Sequence, residues 1–176
     1  ARSWDIISEE ARFWVENIEH RAKINEDLSI GVEIHLKNTS IPSCNIEFRG
    51  KKYTGYLCDS GVPHIVFINI DVGNGELLQF VKSVRHASQF EPDGTNVNTI
   101  HISDKHTISI KTYERGVEDF TLACGTGAVA SAYVGKQVAG LELPAYVQSH
   151  GGTLLVTESE SPSTLWLWGA VEKVFS

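Results

Sequence analysis

The sequence is poor in sulfur-containing side chains and short of positive charge. It contains no methionine and only three cysteines, Cys44, Cys58 and Cys124, in 176 residues. An odd number of cysteines without metal-ligand spacing argues against a disulfide framework and a zinc site, and it predicts reduced thiols in a reducing compartment such as the cytoplasm. The formal net charge of −7 argues against nucleic acid or an anionic membrane as a partner. Small soluble molecules are the expected partners.

Long apolar runs are absent as well. The longest are only a few residues, so no segment is predicted to span a bilayer. A chain of 176 residues can form one substantial core, or one full domain together with the remnant of another. The sequence has no internal repeat and no low-complexity linker, which leaves an ordinary globular fold as the expectation.

What the sequence does contain is mostly strand pattern, with two helical segments. Alternation of polar and apolar residues, continuous apolar runs and turn residues indicate the strands, and apolar spacing at three and four residues indicates the helices. The pattern predicts an α+β fold in which strands curl around one buried helix. Strands are predicted at 30–36, 45–49, 52–57, 62–69, 95–103, 107–113, 153–157 and 164–174, and helices at 76–86 and 125–139, the second ended by Gly140.

A single cysteine, Cys124, stands at the predicted start of the second helix. Gly125 and Gly127 follow it and leave the amides of residues 125–128 unshielded, so an anion could bind at this helix start. The same helix field is expected to lower the pKa of Cys124 and favour the thiolate, which is the form that acts as a base or nucleophile. The sequence therefore predicts a reactive thiol.

The competing interpretation is that Cys124 is a small buried hydrophobe, as free cysteine often is. The charged pair Glu114 and Arg115 favours the first interpretation, because it closes a predicted strand just before a glycine-bounded turn. Charged side chains are seldom buried unless they are paired. The pair therefore indicates the mouth of a site rather than a core.

Four segments together resemble one known family. Tyr113-Glu-Arg-Gly116 followed by Leu122-Ala-Cys-Gly-Thr-Gly-Ala128 is similar to the C-terminal active-site motif of the diaminopimelate epimerases, cofactor-independent enzymes that interconvert LL- and meso-diaminopimelate. Ser60-Gly-Val-Pro-His64 resembles the family's Gly-Asn-Pro-His turn, and Pro92-Asp-Gly-Thr-Asn-Val-Asn98 resembles its Pro-x-x-Thr-Asn-Val segment. Trp168-Gly-Ala-Val-Glu-Lys-Val-Phe175 resembles its final strand. The resemblance implies one half of a pseudo-symmetric two-domain α+β fold.

One family motif is missing. The family has a second cysteine in an early Cys-Gly-Asn-Gly-x-Arg motif, whereas the Gly-Asn-Gly of residues 71–75 follows no cysteine and is expected to be only a turn. Residues 1–35 are therefore expected to be the remnant of an N-terminal domain, and residues 36–176 the C-terminal epimerase domain. The chain is expected to be the C-terminal portion of a longer protein, and its lack of a starting methionine agrees with this expectation. The full-length protein is expected to form a homodimer.

The resemblance also implies a chemistry. Inverting a carbon beside a carboxylate requires a base on one face and an acid on the other, and the family uses two thiols for this, without cofactor or metal. Cys124 would be one of the two, and the amides of Gly125 and Thr126 would bind the reacting carboxylate. The implied role is the supply of diaminopimelate for lysine and peptidoglycan precursors in the cytoplasm.

Further roles carry over one residue at a time. His64 would sit near the absent cysteine and set its proton state, Glu114 would accept hydrogen bonds from the distal ammonium of the substrate and tune Cys124, and Arg115 would pair with the distal carboxylate. Asn96 would add an amide contact there. Purely structural turn roles remain open for His64 and Asn96. Val62 departs from the family, whose members often bind substrate through an asparagine at this position.

Other residue types that could carry chemistry are assigned to structure. Trp166 and Trp168 alternate on the last strand and are predicted to cover one face of the sheet. His101 and His106 lack a partner at ligand spacing and are predicted to be surface residues. Cys58 is predicted to be a buried thiol.

Two other functions stay open. The first is a related isomerase of the same fold, of the proline racemase or phenazine-biosynthesis type, although Glu114-Arg115 beside a cysteine argues against the latter. The second is an inactive fragment or a binding module. Because one of the two catalytic groups is absent, the chain alone is predicted to have no epimerase activity.

Overall fold

The structure is a computed structural model that describes residues 10–15, 17–73 and 75–171. Within these residues the chain forms twelve strands, two α-helices and a short 3-10 turn at Ser88–Phe90. The helices are α1 (Leu77–Arg85) and α2 (Gly125–Ala139). The strands are β1 (Glu10–Val15), β2 (Ile18–Ile24), β3 (Ile30–His35), β4 (Ser43–Phe48), β5 (Lys51–Asp59), β6 (Pro63–Ile68), β7 (Asn96–Asp104), β8 (Thr107–Glu114), β9 (Asp119–Thr121), β10 (Ala145–Ser149), β11 (Gly152–Glu158) and β12 (Thr164–Gly169).

All twelve strands belong to one sheet. Their order is β1-β2-β3-β12-β11-β10-β8-β7-β6-β5-β4, and β9 pairs with β8 outside this path. The pairs β6/β7 and β8/β10 are parallel, and the other pairs are antiparallel. The parallel pairing of β6 and β7 matters most for the site, because it puts His64 opposite Asn96 and Val66 opposite Asn98.

Helix α2 is the centre of the fold. Its residues 127–135 are all buried, and it packs against β5, β6, β7, β8, β10, β11 and β12. Its small side chains, mostly alanine, glycine and valine, let strands approach on every side. The prediction of strands curled around a buried helix is therefore confirmed.

Strand β6 lies between two apolar clusters, and its side chains contribute alternately to one and the other. Val66 packs with α2, whereas Ile65 and Phe67 pack on the other side of the strand with Phe80 of α1. Successive side chains of a strand point to opposite faces, so a strand buried on both faces is apolar throughout. This explains the continuous apolar run in the sequence and why α1, whose apolar stripe covers only one face, lies outside.

Several smaller predictions are also confirmed. Gly140 ends α2 in the left-handed conformation, with φ of 74°. Trp166 is buried, and Trp168 lies close over Gly31, so both cover a face of the sheet. His101 and His106 are exposed.

Other predictions need correction or fall partly outside the described residues. Strands β1, β2, β9 and β10 were not predicted, and β12 ends at Gly169 rather than at residue 174, although residues 172–176 lie outside the described part of the chain. In the expected turn at residues 71–75, Gly73 and Gly75 have φ of 92° and 77°, and residue 74 is likewise not described. Neither helix in the described segments is long and apolar enough to cross a membrane.

Candidate active site

Cys124 caps the N-terminus of α2. Its backbone is extended, with φ of −136° and ψ of 110°, and its carbonyl accepts the hydrogen bond from the amide of Ala128 at 2.9 Å. The side chain makes no capping hydrogen bond and is partly buried. The sulfur therefore sits at the positive end of the helix, as the sequence predicts, and it is not sealed in the core.

The expected lowering of the pKa of Cys124 is wrong. Burial raises the pKa of this thiol, and the negative charge of Glu114 acts in the same direction. The hydroxyl of Thr126 and the amides of Thr126 and Gly127 favour the thiolate, but their effect is smaller than that of desolvation. The sequence argument counted the helix field and left out the loss of water, so the resting form of Cys124 is the thiol.

The glycine at position 127 is required by close packing around the sulfur. A Cβ at this position would lie 3.2 Å from Cys124 Sγ, 3.2 Å from Thr112 Oγ1 and 3.3 Å from Asn98 Nδ2. A side chain there would displace three polar groups at once. Gly127 therefore shapes the site as well as exposing the helix amides.

Thr126 connects Cys124 to the rest of the site. Its hydroxyl lies 3.5 Å from Cys124 Sγ and 3.1 Å from His64 Nε2. Its carbonyl accepts a 2.8 Å hydrogen bond from Ser60 Oγ, in the loop between β5 and β6. Ser60 is 1% exposed, and the sequence assigned it no role although it belongs to the motif that ends at His64. The loop between β5 and β6 is thus hydrogen-bonded to the first turn of α2.

His64 is buried at the start of β6, with 1% of its surface exposed. Burial lowers its pKa to about 4, so the imidazole is neutral at neutral pH. The sequence associated His64 with a cysteine outside this chain, and that role stays a prediction. Within the chain, His64 lies one hydroxyl away from Cys124.

Asn96 is occupied by backbone groups. Its Nδ2 donates to the carbonyl of Pro63 at 3.0 Å, and its Oδ1 accepts from the amide of Arg115 at 2.8 Å. The contacts fit the turn role that the sequence left open, and the substrate contact stays a prediction. Asn96 thereby fixes the backbone of Arg115 next to the turn before β6.

Glu114 is the last residue of β8 and Arg115 follows it, and both side chains are partly buried. In the described ranges neither side chain forms an ion pair within 4.0 Å, although eleven such pairs occur elsewhere. An unpaired, partly buried charge is costly to keep unless a ligand compensates it. The pair is therefore suited to bind a ligand that carries both an ammonium and a carboxylate.

A cleft of about 680 Å³ adjoins the site. Arg115, His64 and Val62 line the cleft, whereas Cys124 does not. His64 connects the cleft to Cys124, because the hydroxyl of Thr126 contacts both side chains. Lys37 in its lining is paired with Asp59 at 2.9 Å, which leaves Arg115 as the cation without a carboxylate among the described lining residues. The cleft can therefore accept an anionic group at Arg115.

The other two cysteines differ in their position: Cys58 lies opposite His64 in the β5/β6 pair and lines the cleft, whereas Cys44 lies on β4 outside its lining. Cys58 is 4% exposed, and burial raises its pKa to about 12, which confirms the predicted buried thiol. Burial also raises the pKa of Cys44. No three histidine, cysteine, aspartate or glutamate side chains in the described part of the chain are grouped to hold a metal ion.

The sequence profile of the family described as "Diaminopimelate epimerase" matches residues 56–174, a range that includes every candidate site residue. The chain belongs to the diaminopimelate epimerase family. Two curated members illustrate the similarity. The diaminopimelate epimerase of Aquifex aeolicus is 40% identical over 129 residues, which are 72% of this chain and 46% of that protein. That of Archaeoglobus fulgidus is 34% identical over 137 residues, 78% of this chain and 47% of that protein.

The chain thus spans about half the length of the curated diaminopimelate epimerases that it matches. Solved structures agree on the fold. A hydroxyproline epimerase from Agrobacterium vitis has a TM-score of 0.62 at 13% identity, covering 94% of this chain and 58% of its own. A phenazine biosynthesis PhzF family protein from Enterococcus faecalis has a TM-score of 0.56 at 17% identity, covering 96% and 64%. The fold predicted from the sequence is therefore confirmed.

Proposed function

We propose that this chain supplies one of the two acid/base thiols of a diaminopimelate epimerase, and that Cys124 is that thiol. The observation that carries the proposal is the position of Cys124 at the N-terminus of the buried helix α2, partly open and close enough to Glu114 for that charge to act on the thiol. Family membership supports it independently. The second thiol belongs to the part of the family's length that this chain does not span.

The reaction exchanges a proton at the carbon between the reacting carboxylate and its amine. Since burial keeps Cys124 protonated at rest, it delivers a proton to one face after the partner thiolate removes one from the other. In the reverse direction the roles exchange. No cofactor is required, because the electron pair left on the carbon is held by hydrogen bonds to the carboxylate.

The two ends of the substrate have separate binding groups. The amides of Gly125 and Thr126, at the start of α2, hold the reacting carboxylate, whose developing charge the helix field stabilises. Arg115 pairs with the distal carboxylate in a two-pronged geometry, and Glu114 accepts from the distal ammonium. Asn96 has one amide hydrogen left for the same end, because its other groups hold Pro63 and the backbone of Arg115.

The complete enzyme would work on a small amino acid, as a homodimer, in the cytoplasm, where its product feeds lysine and peptidoglycan precursors. A related racemase of proline is the competing activity. A substrate with charges at both ends accounts for Glu114 and Arg115, and proline carries no distal charge. This difference favours diaminopimelate.

Deuterium incorporation at the α-carbon tests the proposal. The full-length protein is incubated in D₂O with LL-diaminopimelate, proline or hydroxyproline, and exchange is followed by NMR. We expect exchange and epimerisation only with diaminopimelate, and neither with the 176-residue chain alone. In Cys124→Ala we expect epimerisation to fall by at least about 10³-fold, because one face of the substrate no longer receives a proton, whereas the partner thiol can still exchange the proton on its own face. Turnover retained by Cys124→Ala, or exchange by the chain alone, would contradict the two-thiol proposal.

A further inference from the structure

The inference concerns Asn98, a residue of β7 that is fully buried yet polar. Its Nδ2 lies 3.1 Å from the carbonyl oxygen of Gly127, 3.1 Å from Ser131 Oγ and 3.3 Å from His64 Nδ1. Two of these partners belong to α2 and one to β6, so the amide sits where both elements meet behind the active site. Asn98 does not line the cleft.

The carbonyl of Gly127 fixes the orientation of this amide. A carbonyl oxygen only accepts hydrogen bonds, so the group of Asn98 that faces it must be the NH₂ and not the oxygen. The opposite orientation would press two acceptors together at 3.1 Å. In agreement, Asn98 Oδ1 is buried without a hydrogen-bond partner in the described segments, which shows that the contacts of the NH₂ group decide the orientation.

The orientation of Asn98 in turn selects the tautomer of His64. The NH₂ group has two hydrogens for three neighbouring acceptors, so His64 Nδ1, at 3.3 Å, shares one of them with a nearer partner. A proton on Nδ1 would set two N–H groups against each other with no acceptor between them, so this nitrogen carries a lone pair. Nδ1 of His64 is therefore unprotonated. The ring is neutral because burial lowers its pKa, so its proton is on Nε2.

The tautomer then directs the hydroxyl of Thr126. His64 Nε2–H donates to Thr126 Oγ1 across 3.1 Å, so the oxygen of Thr126 is used as an acceptor and its own hydrogen is free to point elsewhere. Cys124 Sγ lies 3.5 Å from this oxygen. In the other tautomer, Nε2 would be the acceptor and would draw the hydroxyl hydrogen away from the sulfur.

We propose that Asn98 is a positioning residue that, through the Nε2–H tautomer of His64, makes the hydroxyl of Thr126 a hydrogen-bond donor to Cys124. Its value for catalysis rests on the proposed function, since a donor at the sulfur stabilises the thiolate that forms when Cys124 gives up its proton. The charged or titratable groups around His64 are Asp59 and Cys58 from β5, Arg115 beyond β8, and Cys124 at α2. None of them donates a hydrogen bond to either ring nitrogen in the described residues.

The tautomer can be measured directly in the unsubstituted chain. Nitrogen-15 NMR distinguishes a protonated from an unprotonated ring nitrogen, and the His64→Gln variant identifies the signals of His64 among the seven histidines. We expect a single neutral tautomer with the proton on Nε2 at pH 7. A proton on Nδ1, or a mixture of both tautomers, would overturn the proposal.

The effect on Cys124 is measured by alkylation with iodoacetamide as a function of pH, with peptide mapping to separate the three cysteines. Asn98→Leu, which keeps the volume of the side chain, and Thr126→Val, which removes the donor, should each slow the reaction of Cys124 at pH 7.5 by about 3- to 10-fold, because the midpoint of the profile moves up by about 0.5 to 1 pH unit. Rates well above the midpoint should converge with those of the unsubstituted chain.

Two matched variants serve as controls. Thr126→Ser keeps the hydroxyl, and Ser131→Ala removes a partner of Asn98 without touching His64, so both should keep the original profile. A shifted profile in Thr126→Val combined with an unshifted one in folded Asn98→Leu would show that Asn98 does not control the donor. If Asn98→Leu fails to fold, the NMR measurement decides alone.

Neither measurement needs turnover, so the proposal and the proposed function can fail separately. In the full-length protein, Asn98→Leu should lower kcat and move its pH profile upward while leaving KM within about twofold, since Asn98 touches no substrate group. A residue that only supports the fold would not shift the pH profile of a thiol.

Discussion

At the scale of single residues, burial decides the chemistry of this site more than local charge does. Cys124 lies at a helix N-terminus that favours a thiolate, yet its pKa is raised because the loss of water outweighs the amides and the hydroxyl of Thr126. His64 shows the same effect with the opposite sign, because its charged form is the protonated one. Both groups are therefore neutral at rest, which suits the proposed reaction, in which negative charge develops on the substrate.

His64 gives a pH-dependent stability that can be measured. Its pKa in the folded chain is about 4 against an ordinary value of 6.5, so protonation favours unfolding, and the stability it provides is complete above pH 6.5 and is lost as the pH falls toward 4. Between pH 7.5 and pH 5 we expect a loss of about 2 kcal/mol in the free energy of unfolding from this residue.

The measurement is urea unfolding of the chain and of His64→Gln at several pH values. The substitution should remove about 2 kcal/mol of the pH dependence between pH 7.5 and 5, whereas the exposed control His101→Gln should leave the dependence unchanged. Parallel curves for the unsubstituted chain and His64→Gln would mean that His64 titrates normally and is accessible to water.

Residues that act through distant contacts are the ones that the sequence could not reveal. Cys124, Glu114 and Arg115 could be predicted as site residues because a turn, a helix start and a charged pair are local patterns. Ser60 and Asn98 contact the start of α2 across 66 and 29 residues, respectively, and such pairs leave no trace in spacing. The prediction of a lowered pKa for Cys124 was wrong for the same reason, since desolvation depends on which residues pack around the sulfur.

At the scale of secondary structure, helix α2 has glycine at position 127, where alanine would favour the helix more. Gly127→Ala should gain up to about 1 kcal/mol from helix propensity, but the new Cβ lies only 3.2 Å from Cys124 Sγ and from Thr112 Oγ1. One or both neighbours must move by a few tenths of an ångström, and because Cys124 is only partly buried we expect the sulfur to be the atom that moves.

We therefore expect Gly127→Ala to change the free energy of unfolding by less than about 1 kcal/mol while lowering the epimerase activity of the full-length protein by at least about tenfold. The control is Gly140→Ala, which meets no atom within 4 Å but requires a left-handed alanine. It should cost about 1 kcal/mol and leave activity unchanged. Full activity in Gly127→Ala would show that the position of the sulfur tolerates this displacement.

Elements were predictable where burial leaves a recognisable apolar pattern. Helix α1 has an apolar stripe, β6 is apolar throughout and β8 alternates, and these elements were predicted within a few residues. Strand β1 has almost no buried residue, so it carries no apolar alternation and was missed. Strand β10 has only five residues, too few for a period to stand out from its flanks.

At the scale of the whole molecule, the first strands are attached to the rest by pairing and by a buried ion pair. Strand β3 pairs with all six residues of β12, and Glu33 of β3 is 5% exposed. Its carboxylate accepts hydrogen bonds from Arg21 at 2.8 and 2.9 Å and from Ser159 at 2.6 Å. Arg21 holds the pKa of Glu33 low, at about 2. The sequence assigns residues 1–35 to the remnant of another domain, and this contact links that remnant to the loop after β11.

Glu33→Gln tests whether strands β1–β3 unfold together with the strands around α2. The amide keeps the volume of the carboxylate but leaves the guanidinium of Arg21 only the exposed Glu160, 3.5 Å away, as a countercharge, so we expect a loss of about 1 to 2 kcal/mol. The control is Glu19→Gln, which removes the exposed partner of Arg12 and should cost less than about 0.5 kcal/mol.

Hydrogen exchange in Glu33→Gln distinguishes two outcomes. Because β3 pairs along the full length of β12, we expect faster exchange in β3 and in β12 and β11 alike, which identifies one cooperative unit. Faster exchange confined to β1–β3 would instead show that these strands open independently, and the sheet would then divide between β3 and β12.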